Sequence, residues 1–113
     1  MRDFPTKIPN ELESREFILL KKQLVKDFLP VEIELTPESA INLASLLNLV
    51  QQTVQALLEQ NPEMLFSIIY KIDIPEEIIK KAIITDRPSE KISRLIVLRA
   101  YQKIFTRLYF GQA

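Results

Sequence analysis

The chain reads as an all-α protein, an irregular or orthogonal bundle of about five helices around one uncharged helix, with a short extended segment at 30–36. Three observations predict this. Residues 39–58, SAINLASLLNLVQQTVQALL, carry no charge in a chain that is 27% charged. Within them Leu43, Leu47, Val50, Val54 and Leu57 alternate three- and four-residue steps, the period of one helix face. Start signals then recur along the chain, where Asn, Thr or Asp precedes Pro or stands three residues before Glu.

In chain order, residues 1–9 read as an irregular arm containing Pro5 and Pro9. Asn10 and Glu13 have capping-box spacing, so a first helix is expected from about Glu11 to Leu29, where Pro30 stops it. Phe17, Leu20, Leu24 and Phe28 form its apolar line, with Ile18, Val25 and Leu29 beside it and Arg15, Glu16, Lys22 and Lys26 on the wet side. Val31, Ile33 and Leu35 alternate with Glu32 and Glu34, a strand period in a segment too short to stand alone. Thr36-Pro37 is expected to open the uncharged helix, Asn61-Pro62 a third over 62–72, and Asp73 with Glu76 a fourth of about ten residues. Pro88 opens a long last helix running almost to the end.

A length of 113 residues corresponds to a single domain, residues 1–113. Formal net charge is zero, which gives no general attraction to nucleic acid or anionic membrane. Residues 1–60 hold nine acids and six bases, and residues 61–113 the reverse. With no His and no Cys, imidazole and thiolate chemistry is excluded, including the usual transition-metal ligands. The single glycine, Gly111, excludes glycine-rich phosphate loops. The first residues lack the apolar stretch of a signal peptide, and eight of the twenty residues at 39–58 are Ser, Asn, Gln or Thr, unlike a membrane span. The expectation is a cytoplasmic protein that is not an enzyme and takes no cofactor or metal.

Two surfaces are candidates for function. On the uncharged helix, Ile41, Ser45, Asn48, Leu49, Gln52 and Ala56 mix apolar and amide groups, as the core of a protein interface does. A homodimer is expected, with Leu49 and Gln52 near the contact and residues 31–35 pairing across it; the partner could equally be another protein. The competing reading covers the same face within one chain. On the last helix, Arg99, Lys103 and Arg107 form a basic line at four-residue spacing, beside Tyr101, Phe105 and Tyr109. Cations beside aromatic rings can bind a single-stranded nucleic acid, and the basic line alone could contact an acidic protein. Yet such an aromatic line is also the ordinary edge of a buried face, and the chain's neutrality argues against nucleic acid. A helix-turn-helix across IDIPEE is disfavoured by Glu76 and Glu77, which would repel a duplex. Asp73, Glu76 and Glu77 could act as acids or bases only in a cleft, whereas helix capping accounts for the first two.

The segment NPEMLFSIIYKIDIPEEIIKKAI followed by ISRLIVLRAYQKIFTRLYF resembles a group of small, uncharacterised all-helical bacterial proteins. The shared features are an NPE helix start, an apolar-Tyr-basic-Ile-Asp-apolar turn and a basic C-terminal helix. The resemblance implies a helical fold and a bacterial cytosolic setting. It implies no activity, so no functional residue is carried over from it.

Overall fold

A computed structural model of the chain describes residues 4–29 and 36–111. It is an all-α bundle of five helices: α1 (Ser14–Phe28), α2 (Leu43–Gln60), α3 (Pro62–Lys71), α4 (Glu76–Ile83) and α5 (Pro88–Tyr109), with a 3₁₀ turn at Pro37–Ser39. Among the described residues there is no strand, and most of the predicted extended segment, residues 30–35, lies outside them. The radius of gyration is 13.6 Å, close to the value of about 13 Å expected of a compact chain this long.

The hub of the packing is α5, which lies against α1, α2 and α4, while α2 also meets α3, and α1 meets α3. Two lines at four-residue spacing explain this reach: Ile92, Ile96, Ala100 and Ile104, and Ser89, Ser93, Val97, Tyr101 and Phe105, all buried. Side by side they make a buried arc wide enough for three neighbours. The uncharged helix contributes Leu46, Val50 and Val54 to the core, and Leu43, Leu47 and Leu57 are half-buried beside them. It is thus one wall of the bundle, packed along α5, with Asn48, Gln52 and Gln55 facing solvent. Of the aromatic line of α5, Tyr101 and Phe105 are buried and Tyr109 is half-buried. Phe105 meets the rings of Tyr101, Tyr109, Phe110 and Phe4, with centroids 4.7–6.5 Å apart. The N-terminal arm is laid over α5, where Gln102 Nε2 donates to the Pro5 carbonyl at 3.0 Å.

Proline starts are where expected: Pro62 and Pro88 occupy the first turns of α3 and α5. The other starts shift. α1 begins at Ser14, because the capping box is Glu13 with Glu16 rather than Asn10 with Glu13. α2 begins at Leu43, capped by Asn42, whose Oδ1 accepts from Ser45 N at 2.8 Å while Ser45 Oγ accepts from Asn42 N at 3.1 Å. Asp73 does not cap α4. It stands just after α3 with φ 68°, a left-handed conformation, and its N–H donates to the Tyr70 carbonyl at 3.2 Å. Ile74 N–H donates to the Ile69 carbonyl at 3.3 Å, completing a Schellman stop for α3 in which buried Ile74 and Ile69 supply the usual apolar contact. On α1, Ile18 and Leu29 are exposed although they flank the apolar line, whereas Glu16, assigned above to the wet side, is buried.

Candidate functional site

The buried face of α1 is not wholly apolar. Glu16, Gln23 and Asp27 lie beside the Leu20–Leu24–Phe28 line and are themselves buried. A buried polar group must find partners or its desolvation goes uncompensated. Here α5 supplies them in antiparallel order. Tyr109 OH donates to Glu16 Oε2 at 2.8 Å, Arg107 Nη2 to Gln23 Oε1 at 2.6 Å, and Lys103 Nζ to Asp27 Oδ1 at 3.0 Å. Gln23 Nε2 also donates to Asp27 Oδ1, at 2.8 Å. One turn earlier on α5, Arg99 Nε donates to the Ile72 carbonyl at 3.1 Å, at the C-terminal end of α3, where a cation complements the helix dipole. One atom of the seam stays unmatched among the described residues: Asp27 Oδ2 is buried without a hydrogen-bond partner.

The basic line read from the sequence therefore does structural work at each position. It also forms the wall of a depression of about 590 Å³ between α1, α3 and α5. Lys26 from α1, Lys71 from α3 and Arg99, Lys103 and Arg107 from α5 line it, and among the described residues Asp27 is the only carboxylate that does. Lys26 and Lys71 are exposed and make no ion pair or hydrogen bond among the described residues. Asp73, 3.9 Å from Arg99 Nη2, stands at the edge and is itself exposed.

A second, larger concavity of about 980 Å³ separates α3 from α4. Phe66, Ile69, Tyr70, Ile74, Ile79 and Ile83 make its apolar lining, and Lys71, Asp73, Glu76 and Lys80 stand around it. The apolar residues are positioned by two ordinary helical spacings: 66, 69 and 70 on α3, 79 and 83 on α4. The Schellman stop at Asp73 sets where the two helices part. Phe66, Tyr70 and Ile83 are three of the ten large exposed apolar residues among those described, and all three line this groove. Sequence reading passed over the groove, because the Phe66, Tyr70 and Ile83 pattern looks like an ordinary buried face. Its signal was the shortness of α4, eight residues, which leaves too little helix to cover α3.

The predicted interface residues of α2 are spread rather than gathered. Ile41 is 84% exposed and precedes the helix, with its N–H donating to Ser45 Oγ at 3.0 Å. Ser45 belongs to the cap, and Leu49 is partly buried against the core. Asn48, Gln52 and Ala56 remain exposed and line a shallow depression of about 330 Å³ with Gln51, Gln55, Glu59 and Ser89. The face is thus open in the single chain, apart from Leu49. Of the carboxylates weighed for catalysis, Glu76 pairs with Lys80 at 3.5 Å on the surface, and Asp73, Glu76 and Glu77 are all exposed. Among the described residues no group of three or more acidic, Cys or His side chains is placed to hold a metal ion. Nor is any helix among them long and apolar enough to cross a membrane.

Compared with protein-family models, with curated proteins and with solved structures, the chain matches none.

Proposed function

We propose that this chain is a non-catalytic interaction module that pairs with a second copy of itself through the groove between α3 and α4. The observation that supports this reading is the open groove with its apolar lining, on a bundle whose other large apolar side chains are mostly covered. Tyr70 is 85% exposed at its edge and offers the large, amphipathic ring that interfaces favour. The charges of the rim favour a like partner. Lys71 and Lys80 stand against Asp73 and Glu76, so a two-fold pairing can set each sign opposite its complement. A stable interface buries about 800 Å² from each copy, so such a pairing extends from the groove onto the helix surfaces beside it.

Light scattering after gel filtration at micromolar concentration tests the reading, with a dimer mass expected. The double variant Phe66→Glu, Tyr70→Glu should elute as a monomer with its helical signal unchanged, because both side chains already reach solvent. The variant Asn48→Glu, Gln52→Glu on α2 should remain a dimer. A monomer mass for the parent chain would overturn self-pairing, and a dimer lost only on changing α2 would move the contact to the uncharged face.

A further inference from the structure

The depression between α1, α3 and α5 gathers charge that the fold does not need in such quantity. Five of the chain's fifteen cationic side chains line it, on three different helices, although the chain as a whole is neutral. Asp27 offsets one of them and is held under Lys103, where it is only 7% exposed. Among the described residues the lining is five positive and one negative, and Asp73 at the edge, 3.9 Å from Arg99 Nη2, brings the balance to three positive overall. Like charges converging from separate helices repel one another unless an anion sits among them. Bundle packing alone demands only the donors that reach Asp27, Gln23 and the Ile72 carbonyl; Lys26 and Lys71 do neither.

We infer that this depression is a binding site for a compact polyanion of oligophosphate chemistry. Three features point to it. The first is charge density: among the described residues, three net positive charges around about 590 Å³, Asp73 at the edge included, match a ligand carrying several negative charges in little volume, and that volume lies within the usual range for small-molecule sites. The second is preorganisation. Arg107 is fixed through one Nη by Gln23 and retains donors at its other end. Arg99 is fixed through its Nε by the Ile72 carbonyl and holds its remaining nitrogens only through a 3.5 Å contact to Gln102 Oε1 and a 3.9 Å pair with exposed Asp73, which an anion can displace. Two anchored guanidinium forks suit the tetrahedral oxygens of phosphate better than a single carboxylate. The third is the lining itself, in which Ile72 is the only wholly apolar side chain among the described residues, so the site gives little purchase to an apolar group. An oligophosphate could arrive bare or carried by a nucleoside, and the recognised group is the same.

Calorimetric titration of the full chain at about 0.15 M ionic strength tests this with three probes: tripolyphosphate, ATP and a single-stranded dT decamer. Tripolyphosphate and ATP are both expected to bind once per chain with similar affinity. The variant Lys26→Gln, Lys71→Gln changes two exposed residues that have no partner among the described residues, so its melting temperature should stay put. Binding to it should fall about tenfold, the effect of losing one or two charge-assisted contacts. Arg107→Gln should weaken binding as well, and Lys91→Gln, on another part of α5, should not. No heat with tripolyphosphate at millimolar concentration would overturn the inference, as would equal binding by the Lys26→Gln, Lys71→Gln variant. ATP binding without tripolyphosphate binding would show that the phosphate chain is not what the site reads. Tighter binding of the dT decamer than of either phosphate would replace it with a strand-binding groove.

Discussion

Where α1 meets α5, polar side chains are buried and almost all of them are matched; where α3 meets α4, Phe66, Tyr70 and Ile83 stand exposed among the described residues. Both regions carry helical patterns that look alike on paper. Glu16, Gln23 and Asp27 would pass for a solvated stripe, and Phe66 and Tyr70 for part of a core stripe. Neighbours decide otherwise. α5 is long enough, at 22 residues, to run beside α1 and answer each polar group, whereas α4, at eight, leaves α3 half covered. Buried polar networks set register, because only one alignment satisfies every member. Open apolar grooves set nothing inside the chain and are free to serve association.

The sharpest way to break the contrast is to remove the charge that holds Asp27. In Lys103→Ala the carboxylate stays buried with Gln23 as its remaining donor, and Oδ2 is already unmatched. Losing one member of a buried pair costs about 3–5 kcal/mol; since Lys103 is partly exposed, about 2–3 kcal/mol is expected from urea unfolding. The double change Asp27→Leu, Lys103→Met should recover most of that loss. If Lys103→Ala unfolds at the parent's midpoint, the seam contributes no stability.

A smaller effect is expected at the far end of the seam. Tyr109→Phe keeps the ring beside Phe105 but deletes the hydroxyl that donates to Glu16 Oε2. Glu16 Oε1 still accepts from the Glu13 N–H within the capping box. A hydrogen bond to a charged group contributes about 1.5–3 kcal/mol, and the lower part of that range is expected because half of the carboxylate keeps its partner. Across the groove the matching experiment is Phe66→Ala. Phe66 is 39% exposed, so the change should cost well under the ~3–5 kcal/mol typical of a buried Phe. An equally large loss in a monomeric sample would mean that the groove is closed in solution.

How much of this could be read beforehand follows from the kind of signal each feature leaves. Five helices, and the beginnings of α3 and α5, were legible because proline at a first helical turn has few alternatives. The beginnings of α1 and α2 were misplaced because cap residues are common. Asn10, Glu13 and Glu16 offer overlapping boxes, and Asn42 with Ser45 lay inside a run already read as helix. Arg99, Lys103 and Arg107 were legible as a line, since their spacing is local. Their partners were not, because Asp27 and Gln23 lie 76 and 84 residues away from Lys103 and Arg107, and no spacing rule connects them. The depression between α1, α3 and α5 was hidden for the same reason: Lys26 and Lys71 join it only through the packing of three helices.

The least effect is expected at the hinge between the two regions, where Asp73 faces both. It ends α3 in a left-handed conformation, φ 68°, and pairs with Arg99 at 3.9 Å across an exposed surface. Glycine takes that conformation without the steric penalty of a Cβ, which costs roughly 1 kcal/mol for most residues and less for Asp. Against that gain, glycine frees the unfolded chain, and the ion pair is lost. The pair is long and its carboxylate is open to water, so its contribution is small. Asp73→Gly should therefore raise stability by a few tenths of a kcal/mol to about 1 kcal/mol, with Asp73→Asn between the two because Asn also tolerates the left-handed region. Asp73→Val should fall below the parent, since a β-branched residue is strained there. Losing the carboxylate also removes the one negative group beside Arg99 at the rim, so tripolyphosphate should bind Asp73→Gly at least as tightly as the parent. A fall in stability shared by Gly and Asn would make the Arg99 pair, rather than backbone strain, the dominant interaction at this position.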